Sequence, residues 1–145
     1  NSFNKVKACN IAQILILEQN SKTMSKLDEI ESHKCISLET YRKDNQPVKT
    51  PVWFVIKNNL VYVVTRSKTG KVKRLENNLQ VKIAPCTFKG KVTGKWISGT
   101  VKILDENETQ EIVKIRDKKY GFMSKVAKFF SKNKGELYAF SIKVN

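Results

Sequence analysis

The chain has 145 residues, enough for one domain with a real core, and its mix of 40% hydrophobic and 28% charged residues with only 6 Gly and 3 Pro excludes low-complexity and collagen-like classes. Its net charge of +15, from 28 Lys and Arg against 13 Asp and Glu, favours acidic partners such as nucleic acid, membranes or phosphorylated small molecules without choosing among them. Cys9, Cys35 and Cys86 are odd in number and far apart, which argues against a disulfide framework, and His33 is the only histidine, so a His-rich metal site is excluded and a Ser-His-Asp triad would have to be built on His33.

Residues 1–23 read as an N-terminal extension with a helix-like apolar stripe (Val6, Cys9, Ala12, Ile16 beside Ile11, Ile14, Leu15) that Asn20-Ser21-Lys22-Thr23 breaks. The compact domain is expected over 24–145. The apolar run Ile14 to Leu17 is too short to span a bilayer and lacks the form of a signal peptide, which together with the cysteine usage gives a cytoplasmic expectation.

Within the domain, Ser25 to Ser32 reads as a short helix with Leu27 and Ile30 on one face. Alternation from Cys35 to Tyr41 predicts a strand, and Arg42 to Pro47 is turn chemistry. Val48 to Ile56 and Leu60 to Thr65 read as a hairpin through Lys57-Asn58-Asn59. A short helix follows over Lys71 to Asn77, then a strand over Leu79 to Ala84 that Pro85 ends. Phe88 to Lys95 is a basic loop, and Trp96 to Leu104 is a strand in which Gly99 marks a bulge or a close backbone approach. Helices over Asn107 to Lys118 and Ser124 to Ser131 are interrupted at Tyr120-Gly121, and Leu137 to Val144 closes the chain as a strand after a polar turn at Lys132 to Gly135. Six strands joined mainly as antiparallel hairpins suggest a mainly β fold with inserted helices, closed as a small barrel that removes its own edges.

The segment from Thr65 to Leu75 carries the most chemistry. A β-rich run feeds into hydroxyls (Thr65, Thr69), Gly70 and five cations (Arg66, Lys68, Lys71, Lys73, Arg74), and then a helix begins. A helix start has unpaired N–H groups and a positive dipole, so this order is suited to an anion, and the expected guest is a phosphate.

The ordered set Thr50-Pro51-Val52-Trp53-Phe54, Thr65, Thr69-Gly70-Lys71-Val72-Lys73-Arg74-Leu75, Ala84-Pro85-Cys86, Val92-Thr93-Gly94, Trp96 to Thr100 and Lys119-Tyr120-Gly121 resembles the pyridoxamine-phosphate-oxidase-like flavoproteins, and within them the deazaflavin (coenzyme F420) branch. The resemblance runs from about Met24 to Val144. It implies a six-stranded antiparallel split β-barrel of the FMN-binding type. It also implies a homodimer with cofactor, coenzyme F420 or FMN, at the interface. Lys49, Thr50, Pro51, Val52 and Trp53 would line the cofactor ring edge. Thr65, Thr69, Gly70 and Lys71 would surround the phosphate. Arg74 is preferred to Lys73 because it shares the Lys71 face at i+3. Trp96 would pack near the ring from the partner subunit. The chain departs from the phosphate-oxidase enzymes at Lys49, where they use arginine, and at Phe54, where they use lysine. Their C-terminal substrate residues have no counterpart here. These departures argue against pyridoxamine phosphate oxidation, and the apolar Trp53-Phe54 pair suits a hydride-transferring deazaflavin site.

The resemblance thus implies an F420-dependent oxidoreductase acting on a small-molecule acceptor such as an activated double bond, a quinone or a tetrapyrrole-like compound; no side chain need act as acid or base, a proton comes from water or a tyrosine such as Tyr120, and no membrane partner or metal is expected. The alternative is an FMN-binding oxidoreductase or flavin carrier of the same fold. A third class, a nucleic-acid-binding barrel, rests on the cations between Arg66 and Lys95, with Glu76 the only acid among them. It is disfavoured, because the aromatic-rich strands of RNA-binding sheets are missing.

Overall fold

The computed structural model describes the backbone of residues 2–145 and side chains from residue 10 onward, so the Val6 and Cys9 part of the N-terminal stripe lies outside the described side chains. Helix α1 spans Ser2–Glu31, β1 Cys35–Tyr41, β2 Pro47–Trp53, β3 Val55–Lys57, β4 Leu60–Arg66, α2 Gly70–Asn77, β5 Gln80–Cys86, β6 Ile97–Ile103, α3 Glu106–Tyr120, α4 Phe122–Ser131 and β7 Leu137–Val144. All seven strands form one sheet in the order β2-β1-β5-β6-β7-β4-β3, and every pairing is antiparallel.

The two edge strands, β2 and β3, are neighbours in the chain, separated by Phe54 alone. A seven-strand ladder whose ends are joined by one residue must curl around on itself. The result is the split β-barrel that the sequence resemblance implies. Its interior is filled by Ile36, Leu38, Val61, Val63, Ile83, Phe140 and Ile142, all fully buried. The last turns of α1 add Leu27 and Ile30 to that core, and α2 buries Val72 and Leu75. Burying a side chain such as Ile30 contributes about 1.5–3 kcal/mol. A second cluster, Val55, Leu104, Ile112 and Ala139, holds α3 against the outside of the sheet, and Asp105 caps that helix by accepting from the Glu108 N–H at 2.8 Å.

Four sequence expectations need correction. The strand expected over Val48 to Ile56 is split, because Phe54 leaves the ladder and turns its ring into the core; this makes seven strands where six were expected. Only β3 pairs with β4, through a turn in which Asn58 and Asn59 have φ of 52° and 62°, as a two-residue hairpin requires. Asn20 to Thr23 do not interrupt α1, which is continuous; these polar residues are solvated on an exposed helix and have no competing turn to form. Strand β5 continues through Pro85, because its ladder with β6 ends at Ile83 and the missing N–H faces no strand there. Gly99 does mark a close approach: a Cβ there would meet Ile142 at 2.6 Å and the Lys143 carbonyl oxygen at 3.0 Å.

Candidate cofactor site

A groove of about 280 Å³ opens on the barrel surface. One wall is the end of edge strand β2, with Pro51, Val52 and Trp53. The other wall is the end of β4 and the segment leading into α2, with Val64, Thr65, Arg66, Thr69 and Lys71. Its far side is built by Arg116 of α3, by Ala127, Lys128 and Ser131 of α4, and by Lys134. Five cations therefore face one groove. Among the described residues the ion pairs are Arg116–Asp117 and Lys128–Asp117, so one carboxylate serves two of the five. Arg66 donates to the Ser131 hydroxyl and the Gly135 carbonyl, both at 3.3 Å.

Lys71 and Lys134 are in neither pair. Burial, and then the charges of Lys134 and Arg74, hold the Lys71 ammonium below its ordinary pKa range. A cation crowded by cations at a half-buried site is suited to receive an anion. The start of α2 adds to this: the N-cap Thr69 makes no side-chain cap, and the first turn carries no acid. The Thr69 hydroxyl lies 2.9 Å from the Arg66 carbonyl oxygen and 3.5 Å from the Thr65 hydroxyl, so the two threonine oxygens sit together at the helix start.

Lys134 reaches this place through a turn zipped onto the phosphate-type segment. The Ser67 and Lys68 N–H groups donate to the Glu136 and Lys134 carbonyls, each at 2.9 Å, and the Glu136 N–H donates to the Ser67 hydroxyl at 3.0 Å. Gly135 has φ of 95°, and a Cβ there would land on the Ser67 hydroxyl, so only glycine lets the two segments lie this close.

Six of the eleven residues expected at the cofactor line the groove: Pro51, Val52, Trp53, Thr65, Thr69 and Lys71. Thr50 and Gly70 adjoin them in sequence. Three stand elsewhere. Lys49 lies over the Trp96 ring, 5.1 Å from its centroid, and this exposed pair forms no part of the groove in one chain. Arg74, expected beside Lys71, crosses toward β1, where its Nε donates to the buried Thr40 hydroxyl at 2.6 Å; with Lys73 it lines a separate hollow. Lys71 thus lines the groove while Lys73 and Arg74 line the hollow beside it, with the Arg74 guanidinium still next to Gly70. Of the Trp53-Phe54 pair, Phe54 turns into the core and only Trp53 faces the groove, beside the apolar Pro51, Val52, Val64, Ala127 and Leu137.

Arg66, Arg116, Lys128, Ser131 and Lys134 were not expected as site residues. Arg66 was legible as one of five cations in the phosphate-type segment. The others sit far along the chain on α3, α4 and the turn after it, and nothing in their local pattern points to β4.

Trp53 also borders a small apolar pocket, where it stacks on Tyr120 with ring centroids 4.4 Å apart and planes 7° apart. The Tyr120 hydroxyl receives the Phe54 N–H at 3.1 Å and lies 2.6 Å from the Lys34 carbonyl oxygen and 3.0 Å from that of Phe54. Lys119 Nζ donates to the Phe54 carbonyl at 2.8 Å. Burial pushes the Tyr120 pKa up to about 12. This hydroxyl is held by backbone and closes the barrel at the β2–β3 break; it is not poised as an acid.

A family profile described as pyridoxamine 5'-phosphate oxidase matches residues 25–145. A search of curated proteins returns no match. Similar solved structures include HutZ, the heme storage protein of Vibrio cholerae (TM-score 0.64, 12% identity, 83% of this chain and 89% of that one). The conserved hypothetical protein Rv2991 of Mycobacterium tuberculosis aligns with TM-score 0.62 at 15% identity over 83% of this chain and 79% of that one. A NimC/NimA family protein of Clostridium acetobutylicum aligns with TM-score 0.53 at 19% identity over 86% and 80%. At these identities the likeness is one of fold.

Proposed function

This chain belongs to the pyridoxamine 5'-phosphate oxidase family, and from that premise we propose that it is a coenzyme F420-dependent oxidoreductase, working as a homodimer with the cofactor held at the subunit seam. The observation that carries the reading is the crowding of five cations, served by one carboxylate, along the β4–α2 wall and the far side of a groove whose remaining wall is Pro51-Val52-Trp53.

The donor set fits the group. Thr65, Thr69, Lys71 and Lys134 would hold its phosphate with charge-assisted hydrogen bonds. Arg66, Lys128 and Arg116 exceed what one phosphate needs and suit the further carboxylates that coenzyme F420 carries, which favours it over FMN. The end of edge strand β2 offers free backbone groups and the Trp53 ring beside a flat heterocycle. A volume of about 280 Å³ lies at the low end of ligand pockets, so a second subunit over the groove would complete the enclosure.

Coenzyme F420, when bound, supplies a hydride. The chain orients that cofactor and neutralises its anionic end. The Trp53–Tyr120 stack fixes the apolar wall, and the hydrogen bonds of Tyr120 and Lys119 to Phe54 keep that wall rigid. No histidine borders the groove. Hydride transfer needs no side-chain base here, and a proton for the acceptor comes from solvent.

The test is turnover. Reduced coenzyme F420 mixed with the protein and a naphthoquinone acceptor should be oxidised with saturation in both components. Oxidation no faster than without protein, alongside turnover with reduced FMN, would transfer the assignment to FMN; turnover with neither would remove the enzyme reading.

A further inference from the structure

We propose that the outer face of α4, together with the tip of the β5–β6 loop, docks onto an anionic lipid surface. Helix α4 is inside out. Small and polar residues (Ser124, Ala127, Ser131) face the protein, whereas Phe122, Met123, Phe129 and Phe130 are 75%, 56%, 65% and 77% exposed. An apolar stripe turned to solvent on a short basic helix is the pattern of an interfacial helix. A second element joins it. Phe88, 65% exposed on the β5–β6 loop, lines the same small pocket as Met123, so loop and helix present aromatic side chains to one side of the molecule.

Charge decides what covers this surface. Residues 77–104 and 118–135 contain no Asp or Glu, and they place Lys89, Lys91 and Lys95 around the loop tip and Lys118, Lys125 and Lys132 around the helix. A second copy would set one cationic rim against another, whereas anionic headgroups neutralise it. The residues of α4 that border the groove lie on the opposite side of the helix from Phe122, Phe129 and Phe130, so the aromatic face points away from the groove. No helix among the described residues is long and apolar enough to cross a membrane; interfacial docking does not require one.

The full chain is to be sedimented with vesicles of phosphatidylcholine alone and of phosphatidylcholine mixed with phosphatidylglycerol. The protein should pellet with the anionic vesicles, less so as salt rises, and remain free with the neutral ones. In Phe129→Ser/Phe130→Ser, both sites being exposed, the melting temperature should hold while affinity for anionic vesicles falls about tenfold or more. Absence of pelleting with anionic vesicles overturns the proposal. So does equal pelleting of the double variant, which would leave bulk charge as the only attraction. A wild-type dimer that becomes monomeric in the double variant would make a second copy the occupant and also overturn it.

Discussion

The hydroxyl of Tyr120 lies within hydrogen-bonding distance of both backbone groups of Phe54, 3.1 Å from its nitrogen and 3.0 Å from its carbonyl oxygen, across 66 residues of chain. That contact sits at the single residue where the sheet's two edge strands join, so it ties α3 to the closure of the barrel and to the Trp53 wall of the groove. Tyr120→Phe keeps the ring that stacks on Trp53 and removes the hydroxyl. It should cost about 1–3 kcal/mol by leaving a part-buried Phe54 N–H unpaired, read as a shift of the denaturant midpoint at constant slope. An unchanged midpoint would show that the backbone there is satisfied without it.

Lys71→Ala and Arg74→Ala should separate binding from stability. Lys71 lines the groove, and its loss should weaken cofactor binding about tenfold or more without lowering the melting temperature. Arg74 reaches Thr40, and its loss should lower stability by about 1–2 kcal/mol with affinity nearly unchanged. Titration and thermal melting of both variants read this directly. The reverse outcome would return Arg74 to the phosphate.

Gly135→Ala should destabilise by about 1–3 kcal/mol, because it combines a strained φ of 95° with a clash at Ser67. It should also weaken cofactor binding by moving Lys134. Comparison with Lys134→Ala, which removes the charge and keeps the turn, tells the two effects apart: the lysine variant should lose affinity without losing stability.

Most barrel strands were legible from their β-rich runs and from turn residues such as Asn45, Asn58, Asn59 and Gly90, although β1 is buried on both faces. The break at Phe54 was not, because the core that takes its ring and the Tyr120 hydroxyl that meets its backbone come from distant parts of the chain. The same limit governs the site. Thr65, Thr69 and Lys71 are close in sequence and follow a strand into a helix start, so local pattern was enough to group residues that line one groove. Lys134 approaches because Gly135 lets its turn lie against Ser67, and Arg116 and Lys128 are brought in by α3 and α4, far along the chain. Arg74 shares a helical face with Lys71 by spacing, yet the Thr40 hydroxyl on β1 draws it elsewhere, and no local rule contains that acceptor.

The pH dependence of binding follows from Lys71. Its folded, ligand-free pKa lies below the ordinary 10.5, so at neutral pH the crowded ammonium costs the fold stability, and that cost fades as pH rises toward 10.5. A bound anion favours the charged form. Affinity should therefore be greatest where Lys71 is charged without ligand and should fall as pH climbs from neutral through its lowered pKa. Binding measured at constant ionic strength between neutral pH and 10.5 checks this. The fall should be shallower in Lys71→Ala, and a flat wild-type curve would remove Lys71 from the phosphate.

Equilibrium titration of the wild-type chain and of Lys71→Ala with coenzyme F420 and, separately, with FMN is the most direct measurement. Saturable F420 binding that is tighter than FMN binding and clearly weakened in the variant is expected. Failure of both cofactors to bind, or binding indifferent to Lys71, would contradict a phosphate-bearing redox cofactor seated between Pro51-Val52-Trp53 and the start of α2.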